Sequence, residues 1–316
     1  MRILITGGAG CLGSNLIEHY IPAGHQVLAI DNFATGKPQA LPQVPGLTVV
    51  EGTIADATLV EDCFARFQPS HVIHSAAAYK CPADWAEDVA TNITGTINVA
   101  EAARRHGVRR LINFQTALCY GRPNRVPVPI DHPVAPFTSY GISKAAGERY
   151  LLLSELPVVS LRLANITGPR LAIGPIPTFY KRLKAGQTCF CSDTSRDFLD
   201  MEDFLAVMTR VMAEDGPTGI FNVSSGEGHS IKDVFDTVVD YLGITLSEPV
   251  AIVPPGADDV PAMVLDPSAT TAALGWRAGI SFTETIRRML RWYDDHGVTD
   301  IYSHLASSSP VPPYRP

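Results

Sequence analysis

Three glycines near the amino terminus constrain this chain more than any other feature. They stand three residues apart, as Gly7-x-x-Gly10-x-x-Gly13, directly after an apolar segment with the pattern of a strand. The first glycine allows a sharp turn, the second lets a pyrophosphate approach the backbone, and the third lets a helix pack closely on the sheet. The start of that helix directs its N–H groups and the positive end of its dipole at the phosphates. The turn therefore predicts a dinucleotide site, although taken alone it also fits an ordinary tight turn.

The residue that ends the next predicted strand bears on which dinucleotide binds. Asp31 follows the glycines by about 20 residues, where a carboxylate accepts hydrogen bonds from the ribose hydroxyls. A carboxylate at this place repels a 2′-phosphate, so NAD is favoured over NADP. Lys37 lies too far along the chain to outweigh it. A reductase that uses NADPH is the alternative, and it requires that a 2′-phosphate be tolerated beside Asp31.

Apolar runs alternate with helical patterns through the first half of the chain, which is typical of a parallel sheet covered by helices on both faces. The predicted strands are residues 2–6, 26–30, 47–50, 71–74, 110–114 and 158–163. The predicted helices between them are residues 12–20, 59–67, 85–106 and 140–154. Beyond residue 163, proline and glycine shorten the elements. Helices are predicted there at residues 178–185, 201–214, 231–242 and 283–295.

This order predicts an α/β fold, a Rossmann-type doubly wound parallel sheet with a smaller, interwoven C-terminal α/β substrate lobe. We assign residues 1–165 to an NAD-binding domain whose sheet is completed by a later strand at residues 219–223. Residues 166–305 are predicted to form most of the substrate-binding lobe. The Ser- and Pro-rich residues 306–316 are predicted to be a flexible tail.

Charge and composition exclude several classes of protein. Of the 316 residues, 25 are Lys or Arg and 32 are Asp or Glu, and the resulting net charge of −7 does not suit a nucleic-acid-binding protein. No apolar run approaches the ~18 residues that suggest a membrane span. Met1 leads straight into the first predicted strand, so we expect no signal peptide. The six cysteines lack metal-ligand spacing, so we expect reduced thiols, no metal and a cytoplasmic protein.

A tyrosine and a lysine are the candidate catalytic pair. Tyr140 and Lys144 stand four residues apart on a predicted helix, which puts the phenol and the ammonium on one face. A nearby cation favours the phenolate and lowers a phenol pKa from ~10 towards neutrality. Thr116 follows a predicted strand at the carboxyl edge of the sheet, where α/β sites lie, and its hydroxyl is suited to directing a substrate hydroxyl towards Tyr140. Taken alone, the Tyr–Lys spacing fits a purely structural role equally well.

With these residues in order, the chain resembles the extended short-chain dehydrogenase/reductases, and within them the NAD-dependent sugar-nucleotide epimerase/dehydratase family. The resemblance covers about residues 1–292 and is specific, because many motifs occur in the family's order. The matching segments are residues 6–13, 31–32, 74–78, 92–96, 116–121, 161–169, 196–198 and 221–223, together with the Tyr140/Lys144 pair. The chain is similar in particular to members from bacterial lipopolysaccharide O-antigen clusters. This similarity implies a role in cell-surface polysaccharide synthesis.

The resemblance implies a role for each matching residue. Tyr140, Lys144 and Thr116 would be catalytic, with Tyr140 as base, Lys144 lowering its pKa and holding the nicotinamide ribose, and Thr116 orienting the sugar hydroxyl. The cofactor-binding residues would be Gly7, Gly10, Cys11, Leu12, Gly13, Asp31, Asn32, Thr35, Gly36, Thr53, Ile54, Ser75, Ala76, Ala77, Asn92, Tyr140, Lys144 and Leu163. The substrate-binding residues would be Ala78, Thr116, Asn165, Phe190 and Arg196, with Asn165 and Arg196 meeting the diphosphate and Phe190 stacking on the base.

The residues after Thr116 bear on the reaction. In this family, all members first oxidise C4 of the sugar. The dehydratases then use an Asp-Glu pair at the two positions that directly follow the threonine equivalent to Thr116. The decarboxylases use a Glu at the second of these positions. These positions are Ala117 and Leu118 here, and neither side chain carries a proton. A 4-epimerase needs only Tyr140, Lys144 and Thr116, so epimerisation through a transient 4-keto sugar is favoured. There are three alternatives: a dehydratase, a decarboxylase and an NAD-binding protein without activity.

Two departures from the family bear on the substrate. The position of Thr53 often carries an aspartate that meets the adenine, and residues 254–260 lack the family's diphosphate-binding arginine and instead contain Asp258 and Asp259. The candidate substrates are a UDP-hexose, a UDP-N-acetylhexosamine and a UDP-uronic acid. Because relatives often dimerise through two helices, the segments at 85–106 and 140–154 predict a homodimer.

Overall fold

The computed structural model describes residues 1–298 and 300–301, and the tail predicted at 306–316 lies outside them. The strands are β1 (Arg2–Thr6), β2 (Gln26–Asp31), β3 (Leu47–Glu51), β4 (His71–His74), β5 (Arg110–Thr116), β6 (Val158–Leu163), β7 (Asn165–Thr167), β8 (Phe190–Ser192), β9 (Ser195–Arg196), β10 (Phe198–Asp200), β11 (Gly219–Val223), β12 (His229–Ser230), β13 (Ala251–Val253) and β14 (Ala262–Met263). The α-helices are α1 (Cys11–Tyr20), α2 (Ala57–Phe67), α3 (Trp85–Val89), α4 (Thr96–Arg105), α5 (Ser139–Leu153), α6 (Pro175–Lys184), α7 (Met201–Val211), α8 (Ile231–Leu242), α9 (Ser268–Leu274) and α10 (Phe282–His296).

Seven parallel strands form the central sheet, in the order β11-β6-β5-β4-β1-β2-β3. The chain runs outward from β1 to β3 on one side and from β4 to β11 on the other. The order therefore reverses between β1 and β4, and ligands of open α/β sheets bind outside the carboxyl ends of the strands at such a point. The predicted fold class, a Rossmann-type doubly wound sheet, is confirmed.

Two apolar layers cover the sheet because side chains alternate between its faces along each strand. In β1, Ile3 and Ile5 are buried on the face that packs against Leu16 of α1. Leu4 points to the other face and belongs with Phe64 of α2 to the second layer. Burial on both faces explains why the strands of this sheet are almost continuously apolar.

The helix predicted over residues 85–106 is interrupted. A π-helical segment, Ala90–Gly95, separates α3 from α4. Such segments are rare and occur frequently at functional sites. Here the segment contains Asn92, whose side chain accepts a hydrogen bond from the Ala78 N–H at 2.9 Å and donates one to the Ala78 carbonyl at 2.9 Å. The helical periodicity of this segment does not indicate that the Asn92 side chain pairs with the backbone of Ala78.

Helix α7 packs on the same face of the sheet as α1, and much of the remaining chain packs beside the carboxyl edge of the sheet. Helices α6, α8 and α10 enclose a third apolar cluster that includes Phe179, Phe235 and Met289. Short strand pairs join this cluster to the sheet edge, and β10 pairs in parallel with β7 directly after β6. Within the described residues, no helix is both long enough and apolar enough to cross a membrane.

Candidate functional site

A cavity of about 730 Å³ opens at the carboxyl ends of the central strands. Many of the residues singled out from sequence line it, namely Gly7, Gly10, Cys11, Leu12, Asp31, Asn32, Thr35, Thr53, Ile54, Ser75, Ala76, Ala77, Ala78, Thr116, Tyr140, Lys144, Leu163 and Asn165. Five others, Gly13, Gly36, Asn92, Phe190 and Arg196, do not line it. The cavity thus joins the glycine turn to the candidate catalytic residues.

The geometry of the turn between β1 and α1 requires glycine at two of its positions. Gly7 has φ +68°, and a Cβ there would lie 2.8 Å from backbone atoms of Ala76. A Cβ on Gly13 would lie 2.2 Å from the Gly7 carbonyl oxygen, so any side chain would push α1 away from the turn. Gly10 precedes α1, and no side chain caps the helix. The first N–H groups of α1 therefore keep their capacity to bind an anion.

Asp31 is held in one orientation at the end of β2. Its two carboxylate oxygens accept hydrogen bonds from the N–H groups of Ala9 and Phe33, both at 2.8 Å. Burial raises the pKa of this carboxyl, and the two backbone hydrogen bonds oppose that rise. Gly36, which does not reach the cavity, packs so closely that a Cβ would lie 2.8 Å from the Ala9 backbone. The loop after β2 is thereby fixed against the glycine turn.

Thr116, Tyr140 and Lys144 converge on the cavity from β5 and α5. Thr116 is the last residue of β5, and its side chain lies close enough to the Tyr140 phenol to lower the pKa of that group. Helix α5 begins beside it because the Thr138 hydroxyl accepts from the Gly141 N–H at 3.1 Å. Lys144 follows one helical turn later, on the face that lies towards the sheet, and its side chain is buried.

Burial governs the pKa values of the catalytic pair in the protein alone. Desolvation raises the pKa of Tyr140, the nearby Tyr79 and Asp88 raise it further, and the hydrogen bond with Thr116 opposes the change. Desolvation also lowers the pKa of Lys144 to about 8, against the opposing effect of Glu148. The sequence led us to expect a lowered phenol pKa beside Lys144. The direction is the opposite here because desolvation is the largest effect on the phenol, and Lys144 is not among the groups that shift its pKa.

A buried histidine supports the loop that follows β4. His74 Nδ1 lies 2.9 Å from the Thr6 hydroxyl, and Nε2 lies 2.9 Å from the Thr96 hydroxyl. Because Thr96 donates its proton to the Asn92 carbonyl, it must accept from Nε2–H, which leaves Nδ1 to accept from Thr6. Burial lowers the pKa of His74 to about 3, in keeping with this neutral tautomer. Thr6 in turn accepts from the Ala76 N–H, so these residues position the cavity wall.

Phe190 and Arg196 are not among the residues that line the cavity. Phe190 is on β8, and 58% of its surface is exposed. Arg196, on β9, forms an ion pair with Asp259, and both side chains are largely buried. The segment that lacks the family's arginine therefore supplies an acid that neutralises the arginine expected to meet the diphosphate.

Three carboxylates near the catalytic pair were not among the site residues chosen from sequence. Asp84, Glu87 and Asp88 line the cavity at the start of α3. Asp88 is buried and accepts from the Ser139 hydroxyl at 2.5 Å, next to Tyr140. A helical pattern places these acids on a helix but does not indicate that they meet α5. Over the described part of the chain, no group of three or more His, Cys, Asp and Glu side chains is arranged to hold a metal ion.

Comparisons with known proteins agree with this architecture. The Bordetella bronchiseptica enzyme WbmG, in a crystal structure with NAD and UDP, is 69% identical and superposes with a TM-score of 0.93, over 97% of this chain and 99% of that one. WbmH of the same organism, in complex with NAD+, is 40% identical with a TM-score of 0.89, over 94% and 99% of the two chains. The UDP-glucose 4-epimerase of Mycolicibacterium smegmatis is 30% identical over 312 residues, 93% of this chain and 98% of that protein. Residues 3–224 match the NAD dependent epimerase/dehydratase family, and the chain belongs to that family.

Proposed function

We propose that the protein is an NAD-dependent UDP-sugar 4-epimerase that works through a transient 4-keto sugar. The observation that carries the proposal is the convergence of Thr116, Tyr140 and Lys144 on one cavity with the glycine turn. Ala117 is buried and neither Ala117 nor Leu118 lines the cavity, so the positions that carry acids in related dehydratases supply none here. The M. smegmatis relative is a UDP-glucose 4-epimerase, which supports the same reaction.

The residues of the cavity fit NAD. Uncapped N–H groups of α1 suit its pyrophosphate, and a Cβ added to Gly10 would contact only the Gly7 carbonyl, at 3.4 Å. Asp31 suits the adenosine ribose and disfavours a 2′-phosphate. The WbmG and WbmH structures contain NAD, which supports the assignment. In this proposal, residues 1–165 with β11 bind the cofactor, and residues 166–305 contribute most of the substrate site.

The chain's own groups would move the proton. NAD, when bound, supplies the acceptor and donor of the C4 hydride. Tyr140 as phenolate takes the proton of the sugar 4-hydroxyl as the hydride leaves C4, and it returns that proton when the hydride is delivered to the other face of the carbonyl. Thr116 holds the hydroxyl in line with the phenol. Lys144 and the bound cofactor supply the positive charge that opposes the effect of burial on the phenol pKa.

Incubation of the purified protein with a panel of UDP-sugars, followed by NMR of the products, tests the proposal. The panel contains UDP-glucose, UDP-N-acetylglucosamine and UDP-glucuronic acid, with dTDP-glucose as a second nucleotide. We expect inversion at C4 without loss of water or carbon dioxide, and loss of turnover in Tyr140→Phe with the fold retained. Unchanged turnover in that variant would contradict the assigned base.

A dehydratase is the second candidate, because Asp84, Glu87 and Asp88 line the same cavity. Elimination of water requires acid and base groups beyond Tyr140, and carboxylates are suited to that task. The same NMR experiment decides between the candidates. A 4-keto-6-deoxy sugar would establish the dehydratase, and a pentose would establish a decarboxylase.

We also propose that the protein forms a homodimer through α3 and α5. Large apolar side chains on these helices are exposed, among them Trp85, Val89, Ile142, Tyr150 and Leu153. Exposed apolar groups clustered in this way are typical of interaction surfaces. Light scattering should give twice the mass of the chain, and Leu153→Lys, a change on this surface, should shift the mass towards the monomer. A monomer mass for the unaltered protein would refute the dimer.

The similarity to O-antigen-cluster members further supports a cytoplasmic role in the synthesis of a cell-surface polysaccharide. Deletion of the gene should remove or alter one surface polysaccharide, and the intact gene but not Tyr140→Phe should restore it. An unchanged polysaccharide would reject this role while leaving the epimerase activity to be judged by NMR.

A further inference from the structure

A buried glutamine lies between the two elements that carry the candidate catalytic residues. Gln115 is the penultimate residue of β5 and is 2% exposed. Its amide nitrogen donates to the backbone carbonyl of Lys144 at 2.9 Å, and its amide oxygen accepts from the backbone N–H of Thr116 at 2.8 Å. Both polar atoms of the side chain are therefore hydrogen-bonded, the nitrogen to α5 and the oxygen to the last residue of β5.

These two hydrogen bonds join groups that no regular secondary structure joins. Thr116 stands where β5 ends, and Lys144 lies in the second turn of α5, 28 residues further along the chain. Thr116 and Tyr140 line the same cavity, and Thr116 lowers the pKa of the phenol, so the position of Thr116 relative to α5 sets the geometry of the proton transfer. A single planar amide with one donor bond to α5 and one acceptor bond to Thr116 limits sliding of the helix along the strand.

We propose that Gln115 is a positioning residue for the epimerase reaction, fixing Thr116 against the Tyr140–Lys144 face of α5. The inference rests on the proposed function of the site. A displacement of reacting groups by about 1 Å can cost on the order of 100-fold in rate. Loss of both hydrogen bonds in Gln115→Met, a change of similar volume, should therefore lower kcat by roughly 10- to 100-fold. The KM for the UDP-sugar should change little, because both polar atoms of the amide are bonded to backbone groups and the residue is only 2% exposed.

The variant Gln115→Glu separates positioning from packing. Its carboxylate keeps the acceptor for the Thr116 N–H but has no proton to donate to the Lys144 carbonyl. The protonated carboxyl regains that donor, and burial raises its pKa. The kcat of Gln115→Glu relative to the unaltered enzyme should therefore rise as the pH is lowered. Gln115→Met should show no such recovery.

Asn113 provides a matched control on the same strand. It is also 2% exposed, and its amide donates to the Ser160 hydroxyl of β6 at 3.0 Å rather than to the backbone of α5. Asn113→Ala should lower the thermal stability of the protein while kcat stays within about 3-fold. Equal losses of kcat in the Asn113 and Gln115 variants, or a pH profile of Gln115→Glu that parallels the unaltered enzyme, would overturn the proposal.

A readout without turnover separates this inference from the proposed function. The Tyr140 phenol is titrated by ultraviolet difference absorption in the NAD-bound protein, with Tyr140→Phe as the reference. Because the neighbouring Thr116 lowers the pKa of the phenol, displacement of Thr116 in Gln115→Met should shift the titration of Tyr140 to higher pH. If no UDP-sugar is converted, the epimerase proposal fails and this titration alone decides the role of Gln115. If sugars are converted and the titration and kcat are unchanged, the positioning role fails.

Discussion

A buried ion pair behind the candidate site gives the sharpest prediction of stability. Glu148 of α5 and Arg162 of β6 have side chains only 1% and 4% exposed, and their closest atoms are 2.7 Å apart. The Ser160 hydroxyl donates to the same carboxylate at 2.6 Å, and the guanidinium donates to the Tyr120 phenol oxygen at 3.0 Å. Every strong polar group of the pair thus has a partner within the protein.

Replacement of Glu148 by glutamine leaves the Arg162 guanidinium buried without a counter-charge. Breaking a buried pair on one side costs about 3–5 kcal/mol. For a chain of this size, ~1 kcal/mol shifts the melting temperature by about 2 °C, so Glu148→Gln should melt about 6–10 °C lower. The double variant Glu148→Leu/Arg162→Met should lose less than Glu148→Gln alone. It removes both charges together, and Tyr120 keeps its hydrogen bond to Asn222 at 2.7 Å.

Scanning calorimetry of the variants at saturating NAD measures these shifts. The control is Glu214→Gln, which breaks the ion pair between Arg109 and Glu214, whose side chains are 59% and 82% exposed. Exposed pairs contribute little to stability, so this variant should melt close to the unaltered protein. If Glu148→Gln shifts the melting temperature no more than Glu214→Gln, or if the double variant is the least stable of all, the reasoning from burial is refuted.

Three further predictions concern the site itself. Burial lowers the pKa of Lys144 from 10.5 to about 8, so the folded state binds fewer protons than the unfolded state between these values, and its stability rises with pH there. Lys144→Met should therefore have a higher melting temperature than the unaltered protein near pH 7, and the difference should shrink from pH 8 to pH 10.5. Calorimetry without cofactor measures both melting temperatures. A lower melting temperature of the variant at pH 7 would contradict this prediction. Asp259→Asn removes the acid that neutralises Arg196. Titration calorimetry should show that this variant binds UDP on the order of 10-fold more tightly. Weaker binding would mean that Asp259 itself supports the nucleotide. Gly13→Ala brings a methyl group to 2.2 Å from the Gly7 carbonyl oxygen and should abolish NAD binding, and unchanged NAD affinity would show that α1 can move without loss.

Features encoded by neighbouring residues were predictable from the sequence. The glycine turn, the strand that precedes it and the place of Asp31 at the end of β2 all follow from short motifs and from local periodicity. The helix starts were less accurate. Helix α6, for example, begins at Pro175, three residues before the predicted start, because proline is well accommodated in the first turn of a helix.

Contacts between distant residues were not predictable in this way. The Arg196–Asp259 pair joins residues 63 positions apart, and the hydrogen bond between Gln115 and Lys144 joins residues 29 apart. No local sequence pattern predicts either contact, because the two residues of each pair meet only through the packing of separate secondary-structure elements. The two acids in residues 254–260 nevertheless gave a usable signal, because acids in place of an expected arginine indicate a changed partner.

Helix α5 shows why the candidate site depends on polar residues in its buried face. Tyr140, Lys144 and Glu148 follow each other at intervals of four, so they form one row that faces the sheet. An apolar row would bury more favourably, but Glu148 is held by the ion pair with Arg162 of β6, and the Lys144 backbone carbonyl accepts from Gln115 of β5. Gly147 lets the helix approach closely, since a Cβ there would lie 2.4 Å from the Asn92 carbonyl oxygen. Close approach removes water from the row, and the removal of water is what displaces the pKa values of the tyrosine and the lysine from their ordinary range. This burial costs stability. It also makes the pKa values of Tyr140 and Lys144 sensitive to a bound cofactor, because a new charge acts strongly where water does not screen it.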